Sequence, residues 1–227
     1  MTTPPAAFVF DAYGTLFDVH SIAALAEQLA PGNGAALSRI WRTKQLEYSW
    51  LQSLMASPRF PREDFAALTE RALDYALAAL VLPFSPADRQ RLLDGYRDLA
   101  PFAGAREALA ALAPYPRWIL SNGTRAMLEP LVQSTGLDRV LEGIMTVDDV
   151  GIYKPSPRVY QLAVDRLGLR PDRIAFVSSN GWDAAGAKAF GFRTFWINRD
   201  GVPTERHAAP PDYAIGSLSD LVPLIAA

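Results

Sequence analysis

A short apolar run, Phe8-Val9-Phe10, stands by itself near the start of this 227-residue chain. Consecutive apolar residues that turn polar at Asp11 read as a fully buried strand. One strand cannot stand without neighbours. Yet the pattern after Phe17 is helical, and remains so until about residue 98. Further strands come only after Pro101, and from there they alternate with helices. Such alternation implies a parallel sheet covered on both faces. The first strand has to join that sheet, so the residues between are an insertion.

The expected architecture is therefore α/β, a Rossmann-like doubly wound parallel sheet with an inserted four-helix cap. Residues 1–17 and 99–227 form the core domain and 18–98 the cap. In the cap, Ser21 is placed to start a helix running to Ala30, which Pro31-Gly32-Asn33-Gly34 ends. A long helix covers Ala35–Ala56, a third Glu63–Leu82, and a fourth starts at Ser85-Pro86 and runs to about Leu99. In the core, strands are expected at Arg117–Ser121, Gly143–Val147, Ile174–Ser178, Arg193–Ile197 and Tyr213–Ile215. Helices lie between them, two of them closed by Gly136 and Gly168. A cap over the carboxyl ends of the strands can exclude water from a site there.

Composition removes several classes. Half the residues are hydrophobic, enough for a sizeable core. The formal net charge of −2 offers no basic field for nucleic acid or an anionic membrane. The absence of cysteine rules out disulfides, thiol catalysis and thiolate metal sites. The start, Met-Thr-Thr-Pro-Pro, lacks the features of a signal peptide, and the longest apolar run, Ala76 to Leu82, is far short of the ~18 residues of a membrane span. A soluble cytoplasmic protein is expected.

Several stretches carry chemistry at the predicted strand ends. Asp11 either caps the turn made by Gly14 or is a reacting group, since open α/β sheets react at the carboxyl ends of their strands. Ser121-Asn122-Gly123 either caps a helix or offers donors to an anion. Lys154, before Pro155, fits a surface loop; Tyr160 and Trp182 fit packing; Arg42 fits a solvated helix face.

Taken together, these stretches resemble the haloacid dehalogenase superfamily. Phe8–Asp18 is similar to its first motif, Leu120–Thr124 to its second, Lys154–Pro157 to its third and Val177–Asp183 to its fourth. Ile40–Leu51 resembles the cap helix of its L-2-haloacid dehalogenases. The resemblance runs from Phe8 to about Arg199. It implies that Asp11 is a covalent nucleophile, with Thr15 beside it and Lys154 holding it charged. It implies that Ser121 and Asn122 bind the substrate's anionic group, and that Arg42 and Asn122 take the halide. Ser178, Asn180 and Asp183 position and activate a water, and Tyr13, Leu46, Phe60, Tyr160 and Trp182 line the pocket.

Two departures separate the chain from the superfamily's phosphatases. Where they have a second Asp that protonates the leaving group, this chain has Tyr13. A phenol with a pKa near ~10 is a poor acid for that task, whereas halide needs no proton. Where they carry a Gly-Asp pair for magnesium, this chain has Ser or Asn, leaving Asp183 beside Asp11, so no metal and no cofactor are expected. The implied reaction is hydrolysis of a short L-2-haloalkanoic acid to a D-2-hydroxy acid with inversion, through an aspartyl ester. The alternative is a phosphatase of the same superfamily. Expected partners are the small 2-haloacid and halide, with no nucleic acid or membrane, and a second copy in a homodimer. His20 and His207 match no catalytic position.

Overall fold

The computed structural model describes residues 4–206 and 209–226. His207 therefore lies outside the described residues, as do the first three residues. Six parallel strands make one sheet in the order β3-β2-β1-β4-β5-β6. They are β1 (Ala7–Phe10), β2 (Arg117–Ser121), β3 (Gly143–Thr146), β4 (Ile174–Ser178), β5 (Arg193–Ile197) and β6 (Tyr213–Ile215). Every residue of β1 and β4 is buried, which is why both read as unbroken apolar runs rather than alternating ones. β1 is the strand between β2 and β4. The chain order reverses between β1 and β4, and a doubly wound sheet opens its crevice at that point.

Four helices occupy the segment between β1 and the rest of the sheet: α1 (His20–Leu29), α2 (Gly34–Met55), α3 (Phe65–Ala79) and α4 (Pro86–Gly95). With 22 residues α2 is about 33 Å long. The chain leaves and re-enters the core through a paired neck. Phe17 bridges Pro101 in antiparallel fashion, Asp18 N donates to Ala100 O at 2.8 Å, and Phe102 N donates to Leu16 O at 2.9 Å. The remaining helices, α5 (Ala105–Ala111), α6 (Arg125–Ser134), α7 (Pro157–Leu167), α8 (Gly181–Phe190) and α9 (Leu221–Ala226), belong to the core. Among the described residues no helix is long and apolar enough to cross a membrane.

Three helices differ at their ends from the sequence reading. Ser21 does not cap α1. The N-cap is Val19 with no side-chain bond, Asp18 accepts from His20 N, and Ser21 Oγ turns back to Asp18 O. α3 starts at Phe65, later than expected, because Asp64 takes the cap and accepts from Ala67 N at 2.8 Å. It stops at Ala79 rather than Leu82, since Val81 has a positive φ of 54°. α4 ends at Gly95 rather than near Leu99. Elsewhere, Ser85 caps α4 as read, accepting from Asp88 N at 3.1 Å, and Gly136 and Gly168 close α6 and α7 with positive φ.

Candidate active site

Asp11 follows β1 directly and is 7% exposed. The backbone turns there because Gly14 adopts φ 83°, a region costly for any side chain with a Cβ. That turn brings Thr15 back over the carboxylate: its Oγ1 donates to Asp11 Oδ2 at 3.1 Å and accepts from Ser179 N at 2.9 Å. Asn180 Nδ2 donates to the same Oδ2 at 2.8 Å. Lys154 Nζ donates to the other oxygen, Oδ1, at 3.1 Å. Both oxygens are thus held by donors, and one of these, Asn180, stands on the neighbouring motif after β4.

Lys154 is 1% exposed, so it is no surface-loop lysine. It also donates to Asp183 Oδ2 at 2.8 Å. Asp183 Oδ1 accepts from the Tyr160 hydroxyl at 2.8 Å. The room for this is made by Gly186, where a Cβ would meet Pro155 Cβ and the Tyr160 hydroxyl, each at 2.5 Å. Burial pushes the Asp183 carboxyl up to about 6; Lys154 opposes that rise and Asp11 adds to it. Burial pulls the Lys154 ammonium down, but the two carboxylates outweigh it and hold the group above the ordinary lysine range. Removing Lys154, the one cation of the cluster, would leave two buried carboxylates uncompensated, a loss that commonly costs about 3–5 kcal/mol.

The motif after β2 lies on the other side of Lys154. Ser121 is 1% exposed and its Oγ accepts from Gly123 N at 3.1 Å. Asn122 Oδ1 accepts from Lys154 N at 3.0 Å, which turns its NH2 group away from that loop. Ser178 is fully buried, and its Oγ accepts from Asn180 N at 3.1 Å. Ser178 thus shapes the loop that presents Asn180 and touches neither carboxylate in this arrangement.

The cap contributes Arg42 from α2. Its Nη1 donates to Gln45 Oε1 at 2.7 Å and its Nη2 to Asn180 Oδ1 at 3.3 Å. Asn180 therefore joins the end of β1 to α2, its NH2 on Asp11 and its oxygen on Arg42. Tyr13 is 3% exposed, and its hydroxyl is buried without a hydrogen-bond partner. Burial raises its pKa, so it is a neutral phenol at physiological pH. A cavity of about 190 Å³ lies at this junction, lined by Tyr13, Gly14, Arg42 and Asn180, with His20 and Arg199 on its walls.

Three expected pocket residues sit differently. Leu46 lies one turn along α2 from Arg42 and is half-buried. Trp182 meets Trp50 of α2 edge-on at 5.5 Å, and its indole N–H is buried without a partner. Phe60 is not brought to the site. It is 65% exposed, in a tight turn with mutual backbone bonds to Ser57 and its ring under Arg59. The turn aims the side chain outward, so the expectation that Phe60 lines the pocket is corrected here.

Sequence reasoning missed Gln45 and Ser179. Gln45 carried a legible signal: it lies on the α2 face with Leu37, Trp41 and Ser49, all buried, so a polar side chain at that position has to find a partner inside. Ser179 gave none: it meets Thr15 through its backbone N–H at 2.9 Å and its hydroxyl at 3.3 Å, and no residue spacing announces either contact. Among the described residues no group of three or more His, Asp or Glu side chains is placed to hold a metal ion.

The model of the haloacid dehalogenase-like hydrolases matches residues 5–191 of the chain. The chain is 46% identical to (S)-2-haloacid dehalogenase 4A of Burkholderia cepacia over 97% of its own length and 94% of that protein. It is similar to a solved L-2-haloacid dehalogenase with a TM-score of 0.95 and 43% identity, covering 99% of this chain and 100% of that one. It is also similar to the L-2-haloacid dehalogenase of Xanthobacter autotrophicus solved with chloropropionic acid covalently bound. There the TM-score is 0.88 and the identity 38%, over 98% of both chains.

Proposed function

The chain belongs to the haloacid dehalogenase-like hydrolase family, and we propose that it hydrolyses short L-2-haloalkanoic acids to D-2-hydroxy acids through an ester on Asp11. One observation carries this reading. The Asn180 side chain bonds a buried carboxylate, Asp11, on one side and the cap guanidinium of Arg42 on the other. A nucleophile and a fixed positive charge so joined suit a displacement in which charge moves from carboxylate to leaving group.

In the first step an Asp11 oxygen attacks C2 and the halide leaves with the bonding pair toward Arg42 and Asn122. Lys154 holds Asp11 by its Oδ1, while Ser121 holds the substrate carboxylate and Tyr13, Leu46 and Trp182 bound the alkyl part. Arg42 is always charged, and its attraction grows as charge builds on the halogen. C2 is inverted in this step. In the second step water attacks the ester carbonyl of Asp11, not C2, and gives its proton to Asp183. A carboxyl raised to about 6 is ionised above that pH and basic enough to receive it. The ester C–O bond then breaks, the departing alkoxide takes the proton back from Asp183 to leave as the hydroxy acid, and the second proton of the water passes to solvent as the Asp11 carboxylate is restored. Splitting the displacement in two avoids a direct attack of water on C2.

The test is halide release from the two enantiomers of 2-chloropropionate after EDTA treatment and desalting. The L form should give D-lactate at full rate and the D form none. Single turnover in ¹⁸O-water should place label in Asp11 before product. Magnesium-dependent hydrolysis of p-nitrophenyl phosphate without halide release overturns the reading. The working form is a homodimer, for which α2 offers a face: Trp50, Leu51, Leu54 and Met55 are 36%, 41%, 84% and 64% exposed.

A further inference from the structure

We propose that Gln45 and Thr69 are positioning residues that aim Arg42, a reading that rests on the role of Arg42 as halide acceptor given above. Gln45 is fully buried on α2 and Thr69 is 3% exposed on α3. Thr69 Oγ1 donates its single proton to Phe65 O at 2.6 Å. Its oxygen can then only accept from Gln45, which gives the 2.6 Å bond from Gln45 Nε2. With the NH2 end fixed on Thr69, the Gln45 carbonyl must face the other way, where it receives Arg42 Nη1 at 2.7 Å. The amide cannot be reversed, since that would set NH2 against guanidinium and leave Thr69 without a donor.

The Thr69 end is itself anchored. Trp41 Nε1, adjacent to Arg42 in sequence, donates to Thr69 O at 2.8 Å. The Tyr96 ring packs edge-on against Trp41 at 5.1 Å. One η nitrogen of Arg42 is thereby committed to the cap. The other is presented to the core, where it meets Asn180 Oδ1 at 3.3 Å. Arginine has many rotamers, and a guanidinium held at one end loses much of that freedom before substrate arrives. Gln45 and Thr69 touch neither substrate nor reacting atoms; they act through Arg42.

The consequence is specific to the leaving group. Chloride departs with more charge still to be stabilised than bromide, so losing the aim of Arg42 should penalise the chloro substrate more. We would measure kcat/KM for L-2-chloro- and L-2-bromopropionate, with the folded state checked by circular dichroism and thermal melting. In Gln45→Leu and Thr69→Val, kcat/KM for the chloro substrate should fall ~10–10²-fold, mainly in kcat, since misplacing a catalytic group by about 1 Å has that order of cost. The bromo/chloro ratio should rise about threefold or more. Thr69→Ser keeps the hydroxyl and should keep the wild-type ratio. Thr69→Val is nearly isosteric, so the Val–Ser pair decides the matter even if Gln45→Leu fails to fold. A folded Thr69→Val enzyme with the wild-type ratio overturns the proposal while leaving the dehalogenase reading intact. A wild-type protein that releases no halide overturns both.

Discussion

Asp183 shows how a single residue divides stability from catalysis. It is fully buried, and two carboxylates share one ammonium in its cluster. Its folded pKa, about 6, lies above the ordinary 3.8. The folded state therefore holds a proton there that the unfolded chain has lost, and its ionisation costs stability as pH rises from 3.8 through about 6. Asp183→Asn can still accept from Lys154 and donate to the Tyr160 oxygen. It should match wild type near pH ~4 and melt higher above pH ~7, by about 1–2 kcal/mol. The same substitution removes the proton acceptor of ester hydrolysis. Mass spectrometry after substrate addition should then show the protein carrying the substrate less its halogen, stably attached at Asp11. The wild-type turnover rate should fall as pH drops through about 6, with the ester accumulating. Rapid turnover by Asp183→Asn removes Asp183 from the second step. At this scale the residues taken singly left Asp11 open between a turn cap and a reacting group and fitted Lys154 to a surface loop, though it is 1% exposed; the resemblance, with Tyr13 where a phosphatase would have a carboxylate, carried the reading of the site. It was silent about Ser179, which meets Thr15 across 164 positions of sequence.

Strand bounds were legible where an apolar run meets Asn, Gly or Ser, and helix ends were ambiguous where caps compete. β2, β4, β5 and β6 begin and end as read, although only β4 among them is buried along its whole length. The starts of α1 and α3 shifted because neighbouring polar residues compete for one cap: Asp18 engages α1 from outside, and Asp64 rather than Glu63 caps α3. The exposure of α2 was not legible, since its apolar residues run round the helix. Its inner face, Leu37 and Trp41, is buried, while Leu54 at its far end is 84% exposed. With Trp50, Ile152 and Pro155 it edges a largely apolar groove. A patch of this kind on an enzyme surface points to a covered interface, and a second copy is the occupant proposed. Leu54→Glu should convert the dimer to a monomer in sedimentation velocity, while halide release per chain stays within about threefold, because Leu54 lies outside the Asp11 cluster. A monomeric wild type, or an unaltered dimer in the variant, refutes this interface.

For the molecule as a whole, the parallel sheet and the insertion after its first strand followed from alternation alone, but how the inserted helices grip the core did not. Tyr153, just before Lys154, is held by the inserted segment on three sides. Its N donates to Ser53 Oγ at 3.1 Å, its hydroxyl donates to Glu63 O at 2.6 Å, and the Arg62 guanidinium lies over its ring at 4.6 Å. Arg62 also forms an ion pair with Asp148. These residues are far apart in sequence, so no local pattern announces the contact. Its effect is to make the position of Lys154, and through it Asp11 and Asp183, depend on how the cap sits. Arg62→Ala removes a partly exposed ion pair and a cation–π contact, together worth ~1–2 kcal/mol, so the protein should fold and melt only slightly lower. The kinetic cost should be larger than that loss suggests. With Tyr153 released, Lys154 is free to shift, and a displacement well under ~1 Å is enough for a fall of about tenfold in kcat/KM. Hydrogen exchange should quicken at residues 150–155 and not in β1 or β4. Unchanged exchange and wild-type kinetics in Arg62→Ala would mean that the lysine is fixed by its two carboxylates alone, with the cap contributing Arg42 and nothing to the geometry beneath it.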